Sequence, residues 1–531
     1  MDIGVNVKVL ASRHLSTDDF RRATPVLSDG PVRPLPPLES LKNAPKVPAP
    51  TDASPYPFEN LAFEGGGAKG YAYIGAIQVL EEAGIYPDQV RRVAGTSVGS
   101  MIAMMAALGC DSSYMLSKTP KDLQGLVMDC SGGKAGSILH AALTRGLHPG
   151  KRVFDFIGEV LEDVTGSADI TFAQLLQRYG RELCVPVTNV TRMTTEYCHP
   201  KTTPNMSVRV GVRMSMSLPV LLQPVLLTKA SQESADPPEV YVDGGLLCNN
   251  PTHAFDGWWL SMTHEDAFLR RLQPLADAHD HYPRSERFSP SNPKTLGFTV
   301  FASSDTDITR DWVRAGGEPP RRPKTPAALR CNALERQKDK QSRLNAPLQH
   351  LMGVIDDFDV DRDGRIDQAE LKAMIDSGGM SDSDLLSIFG TVNANEIYEA
   401  LDQDSVGTIE YGELLSFLES HDVDVTTQLV GFPARAPKTS IEFLLNMLEA
   451  MTRDLTLANH NPLDRARTVP INTDYVGTQT FDLEQADLDF LVEVARRSTK
   501  AFLIEFDTLA RSTSESAVRI PSDQVSAEHP A

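Results

Sequence analysis

From Asn60 to Gly109 the chain writes the same unit twice: a short apolar strand, a glycine-rich turn and a helix. LAF at 61–63 runs into Glu64-Gly65-Gly66-Gly67-Ala68-Lys69-Gly70, and YAYIGAIQVLEEAG follows at helical spacing. RRVAG at 91–95 runs into Thr96-Ser97-Val98-Gly99-Ser100, and MIAMMAALG follows as an apolar helix. A chain that leaves a sheet through a helix re-enters it parallel to the strand it left. This order therefore predicts an α/β fold around a mostly parallel sheet. Further strands are expected at LCVPVTNV, VYVDGG and TLGFTVFA.

The rest of the 531 residues divides by composition. Residues 1–55 are proline-rich without apolar periodicity, and are expected to be a disordered leader. The α/β part is expected over 56–309. Residues 310–343 carry ten Lys/Arg against four Asp/Glu, and 310–342 read as a basic linker. An acidic block is expected to fill 343–425, and an α/β continuation 433–510, with a frayed tail over 511–531. Between Asp356 and Asp424 there are 19 Asp/Glu and 3 Lys/Arg, so this stretch carries −16 of the formal net charge of −20. Such acidity argues against nucleic-acid binding. Leu, Ile, Phe and Met recur through the block at helical spacing, so it reads as a cation-binding helical module. No run of about 18 apolar residues predicts a membrane-spanning helix. Met1–Ser28 lacks a secretory pattern, and the six cysteines are scattered without CxxC pairs. A cytoplasmic protein with access to membrane surfaces is expected.

Three strand-end motifs carry chemistry. Gly95-Thr96-Ser97-Val98-Gly99 is a GxSxG pentapeptide between a strand and a helix, where Ser97 is held out from the sheet and the helix aims its positive end at the hydroxyl. The bland alternative is a serine at a helix N-cap. Gly65–Gly70 fits GxGxxG after a strand. A dinucleotide turn would want an acid at the end of the second strand, where Gly95-Thr96-Ser97 stands instead. An oxyanion-binding loop, built from Gly65, Gly66, Gly67, Ala68, Lys69 and Gly70, is the other reading. Asp243-Gly244-Gly245 follows VYV, and an aspartate freed there by two glycines can reach a serine hydroxyl; alone it is only a common turn.

Taken in order, GGGAKG, GTSVG and DGG resemble the three motifs of the patatin-like phospholipases, a family of lipid acyl hydrolases with a Ser–Asp dyad. RMSMSLP before Asp243, NNPTHAFD after it, TLGFTVF, and RTVPINT with the following FDL extend the resemblance over about 58–305 and 435–510. It implies a three-layer α/β/α fold with a mostly parallel central sheet, Ser97 as nucleophile, Asp243 as proton acceptor and Gly65–Gly70 as oxyanion donors. The implied substrate is a phospholipid or neutral lipid met at a peripheral membrane surface. A triacylglycerol lipase, an acyltransferase on the same dyad, and a Ser–His–Asp triad with His253 or His460 as base stay open, as does a calcium-sensing scaffold with an idle hydrolase fold.

The acidic block matches an EF-hand loop. Asp359, Asp361 and Asp363 offer carboxylates, Gly364 the bend, Arg365 its carbonyl, Asp367 a water-mediated position and Glu370 a bidentate end. A second loop offers Asp402, Asp404, Thr408, Glu410 and Glu413 but has Val406 where an oxygen side chain is expected, so weaker calcium binding is predicted. Ile366 and Ile409 are expected to pair the two loops. The reading is an α/β domain interrupted by an all-α EF-hand pair that modulates it with Ca2+, with the basic segment 327–343 as a candidate target helix. Met214 and Met216 are expected in the core or along an acyl pocket, and Trp258-Trp259 in the core or at a membrane surface.

Overall fold

The computed structural model describes residues 26–28, 34–37, 40, 54–120, 122–130, 146–228, 237–261, 287–303, 305, 309–341, 350–351, 354, 365–402, 404–420, 437, 439–458 and 461–518. The chain forms two compact units, Met1–Ala327 with Pro437–Ala531, and Ala328–Ala436.

The strands of the first unit are β1 (Val26–Ser28), β2 (Asn60–Phe63), β3 (Arg92–Gly95), β4 (Gly146–His148), β5 (Glu182–Asn189), β6 (Thr194–Cys198), β7 (Val220–Leu222), β8 (Val225–Thr228), β9 (Glu239–Asp243), β10 (Thr295–Ala302) and β11 (Thr468–Asp474). Among the described residues nine of them make one sheet in the order β1-β8-β9-β5-β3-β2-β10-β11, with β6 also on β5, while β4 and β7 pair separately. The core β5-β3-β2-β10-β11 is parallel throughout, and β9 joins it antiparallel to β5. This is the mostly parallel α/β fold that the alternation of strands and helices predicts.

Both faces of the sheet are covered, which is why its central strands are apolar without alternation. All eight residues of β10 are buried. Phe63 stacks on Phe298 at 5.2 Å and meets Tyr73 of helix α1 (Tyr73–Glu82) edge-on at 5.2 Å. On the other face Ala62, Ala94 and Cys184 pack with Phe255, Leu260 and Phe288. Helix α2 (Val98–Ala107) follows β3, and α3 (Val208–Ser215) packs near β5 and β9. Helix α4 (Ser440–Ala458) precedes β11, and α5 (Gln485–Val518) crosses α1. At that crossing a Cβ on Gly75 would sit 2.0 Å from the Val492 carbonyl oxygen.

Three boundaries differ from the sequence reading. The proline-rich leader contributes β1, which pairs parallel with β8. The first part of the predicted linker is packed: Trp312 is buried, Arg314 pairs with Glu505 at 2.7 Å, Arg322 with Asp474, and Thr325 donates to Asp487. Apolar contacts and paired charges hold this segment, which proline and arginine content alone had marked as open. The last helix extends to Val518, past the predicted start of the tail. Met214 and Met216 are buried, as a core reading expects. Trp259 packs partly buried against the Phe255 cluster. All six cysteines are free, and among the described residues no helix is long and apolar enough to cross a membrane.

The second unit is helical: Gln368–Asp376, Asp382–Phe389, Ala394–Leu401 and Tyr411–Ser420. Leu371, Met374, Ile397, Leu401 and Phe417 form its core. Ile366 and Ile409 make an antiparallel bridge through two backbone hydrogen bonds, of 3.1 and 2.8 Å. Asp359, Asp361, Asp363 and Gly364 lie outside the described residues.

Candidate active site

Strand β3 ends at Gly95 and α2 begins at Val98, so the chain reverses within Thr96 and Ser97. Ser97 accordingly sits at φ 52° and ψ −128°, in the region that L-residues avoid. Two close approaches force the glycines beside it. A Cβ on Gly99 would lie 2.5 Å from the Phe63 carbonyl oxygen, and one on Gly95 would lie 2.1 Å from that of Gly99. Ser215 of α3 holds the strained backbone: its Oγ accepts the Ser97 N–H at 3.0 Å and donates to the Pro186 carbonyl at 2.7 Å.

The Ser97 hydroxyl donates to Asp243 Oδ2 at 2.7 Å. Asp243 does not come from the strand beside β3; β5 lies between them. The turn after β9 crosses β5 instead, passing so near that a Cβ on Gly244 would be 2.2 Å from Pro186 O. Asp243 is fixed by three further bonds. Its N–H donates to Ser217 O at 2.9 Å, its carbonyl accepts from Thr188 Oγ1 at 2.9 Å, and its Oδ1 accepts the Gly245 N–H at 2.7 Å. Burial of the carboxyl, opposed only in part by the Gly245 and Ser97 hydrogen bonds, pushes its pKa up to about 7.

Of the six residues predicted to donate to an oxyanion, three have amides spent elsewhere. Gly65 N–H goes to Asn249 O, Ala68 N–H to Thr478 O and Lys69 N–H to Gly66 O. Gly70 lies within the 3-10 turn Gly67–Ala72. Gly66 and Gly67 are left as the amides that no hydrogen bond engages among the described residues. Gly67 needs its glycine, having φ +55° and a would-be Cβ 2.2 Å from Thr478 O. The Lys69 ammonium pairs with Asp305 at 2.8 Å and so ties the loop to the end of β10.

The histidine alternatives fare differently. His253 Nε2 shares a hydrogen bond with Tyr197 OH at 2.9 Å and packs edge-on to Phe288. It lines a cavity of about 460 Å³ beside Gly245, Leu246 and Asn249, whereas the acceptor of the Ser97 hydroxyl is Asp243. His460 lies outside the described residues.

Motif reading missed Glu64, Ser215 and Asn249. RMSMSLP and NNPTHAFD held the last two, but no residue type in those segments announces which side chain turns inward.

Residues 61–256 match the family model described as patatin-like phospholipase. Over these residues the chain is similar to that family. An uncharacterized protein, R571, of Acanthamoeba polyphaga mimivirus is 28% identical over 268 residues, covering 47% of this chain and 84% of the viral protein. The uncharacterized protein YqhO of Bacillus subtilis is 30% identical over 208 residues, or 36% of this chain and 65% of the relative. Lysophospholipase nte1 of Emericella nidulans is 29% identical over 198 residues, and there the match covers 36% of this chain but 10% of the fungal protein. The patatin-like match thus spans most of the viral protein and only a small part of the fungal one.

In the second unit Asp402, Asp404 and Glu413 bring carboxylate oxygens within 4.8 Å of one another. They accept backbone N–H groups from within their own loop: Val406 to Asp402 and Asp404, Gly407 to Asp402, Asp404 and Glu410 to Glu413. Val406 points outward, 67% exposed. Glu410 pairs with Arg365 of the first loop at 3.0 Å. Asp367 caps the helix Gln368–Asp376 and Glu370 lies in its first turn, each accepting the other's backbone N–H. The carboxylate donor set at Asp402, Asp404 and Glu413 suits a hard cation such as calcium.

Proposed function

We propose that the patatin-like unit is a lipid acyl hydrolase working through a Ser97–Asp243 dyad. The 2.7 Å hydrogen bond from a strained, half-buried serine to a buried carboxylate carries the reading. Asp243 accepts the hydroxyl proton as Ser97 Oγ bonds to the ester carbonyl carbon. The carbonyl oxygen becomes an oxyanion, for which the unspent Gly66 and Gly67 amides would be the donors, assisted by the positive end of α2. Collapse breaks the C–O bond to the alcohol, and Asp243 returns the proton to the leaving oxygen. Water, deprotonated by the same carboxylate, then releases the fatty acid and restores the serine. A carboxyl with its pKa near 7 suits both halves, since it exchanges its proton readily at neutral pH. Likeness to a family of phospholipases, with a lysophospholipase among the relatives, supports lipid esters as substrates. The test is hydrolysis of a panel of phospholipid, lysophospholipid and acylglycerol vesicles or micelles, with Ser97→Ala as blank. Release of fatty acid from none of them by the wild type refutes the proposal.

We infer further that the second unit is an EF-hand pair that binds calcium. Asp402, Asp404 and Glu413 would hold one ion with the Thr408 carbonyl and Glu410; the first loop would use Asp359, Asp361, Asp363, Arg365, Asp367 and Glu370. Bound calcium would neutralise crowded carboxylates and order the flanking helices, and it takes no part in ester chemistry. Modulation of hydrolysis is proposed to run through this unit, with the basic helix Pro326–Gln341 as candidate target. Equal activity in calcium and in chelator would leave calcium a structural ion only.

A further inference from the structure

Resting on the dyad reading, we propose that Asn249 is a positioning residue that locks the oxyanion loop against the turn of the general base. Its carboxamide touches both. Asn249 Nδ2 donates to Glu64 Oε1 at 3.0 Å and to the Gly65 carbonyl at 3.1 Å, while the Asn249 backbone carbonyl accepts the Gly65 N–H at 3.1 Å. Its Oδ1 lies 2.4 Å from where a Cβ of Gly65 would stand and 2.8 Å from where one of Gly245 would stand. The side chain is thus seated between two glycine α-carbons, and any side chain at either would evict it.

Each glycine leads to one half of the reaction. A Cβ on Gly65 would be 3.1 Å from Ser97 Cβ, and Gly65 leads directly into Gly66 and Gly67, whose amides are unspent. Gly245 gives its N–H to Asp243 Oδ1. Asn249 therefore fixes the distance between the donors for the oxyanion and the carboxylate that moves the proton.

The residue type is dictated by its partners. Glu64 Oε1 and Gly65 O are both acceptors, so the group facing them must carry two N–H bonds, and the NH2 of a carboxamide does. Aspartate would set oxygens against oxygens, and alanine would remove both donated bonds. Glu64 anchors the pair in turn. It is 6% exposed, its Oε2 accepts the Val300 N–H at 3.2 Å, and its carbonyl accepts from Tyr73 OH at 2.8 Å. The loop is thereby referenced to β10 and α1, two of the most buried elements of the fold.

The test compares wild type, Asn249→Ala, Glu64→Gln and the double variant on one lipid ester, measuring kcat, KM, the pH profile of kcat/KM and the thermal midpoint. A displacement of catalytic groups by about 1 Å costs about a hundredfold, so Asn249→Ala should lose about that in kcat with KM held within about threefold. Its acid limb should move to higher pH, because a looser Gly245 N–H stabilises the Asp243 carboxylate less. The double variant should be no slower than Asn249→Ala, since both substitutions break one linkage. Unchanged kcat in folded Asn249→Ala, a loss confined to KM, or losses that multiply in the double variant would each overturn the proposal. If Asn249→Ala does not fold, Glu64→Gln decides: a fall in kcat with KM held supports the linkage, and an unchanged kcat refutes it. Failure of the dyad itself would look different, with Ser97→Ala as active as the wild type.

Discussion

At the scale of single residues, the chemistry proposed here rests on a carboxyl kept from water. Burial raises the Asp243 pKa from 3.8 to about 7, so the base is active only as the pH rises through that value. We expect kcat/KM to fall about tenfold per pH unit below 7, read from initial rates between pH 5 and 8. The same shift has a cost for stability. The folded state holds the Asp243 proton more tightly than the unfolded chain, so its favourable contribution is complete below about pH 4 and is lost as the pH climbs past 7. Asp243→Asn should therefore raise the thermal midpoint relative to wild type at pH 8, with the difference shrinking toward pH 4. Ser215 acts on the partner. Ser215→Ala strips the Ser97 N–H of its acceptor and should cost about 1–3 kcal/mol in urea unfolding, together with about tenfold in kcat as the strained turn relaxes. Ser97, Asp243 and the glycines were legible because motif chemistry requires those types at those places. Ser215, Glu64 and Asn249 were not, since serine, glutamate and asparagine are ordinary surface residues, and only the folded turn shows them facing inward.

At the scale of elements, the alternation of strands and helices from Asn60 to Gly109 was enough to predict a parallel sheet, because parallel neighbours need a long crossover and a helix is the usual one. The antiparallel β9 was not legible. A strand's direction follows from the path of the preceding loop, and nothing in VYVD reveals that its aspartate arrives across β5 rather than beside β3. Nor was β1, whose three residues sit in a segment that composition marks as coreless. The packing of α1 on α5 is equally silent in sequence, although one glycine controls it. Gly75→Ala would drive a methyl into the Val492 carbonyl and push α5 off the sheet. We expect it to cost about 1–3 kcal/mol or more, measured by urea unfolding, with Ser97 and Asp243 untouched in sequence.

At the scale of the whole molecule, the chain has an α/β unit and a helical unit whose loops gather carboxylates. The acidic composition of 356–424 pointed to a cation module because it alternates with apolar residues at helical spacing. The Ile366–Ile409 bridge is the element of that module most directly foreseen. If Asp402, Asp404 and Glu413 hold calcium, saturating the ion at about a hundred times its Kd should add about 2.7 kcal/mol to the unfolding free energy of this unit. Glu413→Gln should remove most of that gain in calorimetry of the full chain. The central claim, however, concerns the first unit: a carboxylate, with no histidine between, activates Ser97. It is tested most directly by kcat/KM on a single lipid ester for wild type, Asp243→Ala, His253→Ala and His460→Ala. The account predicts a loss of about a thousandfold or more in Asp243→Ala and rates within a fewfold of wild type in both histidine variants. Near-wild-type hydrolysis by Asp243→Ala, or a comparable collapse in either histidine variant, would contradict it.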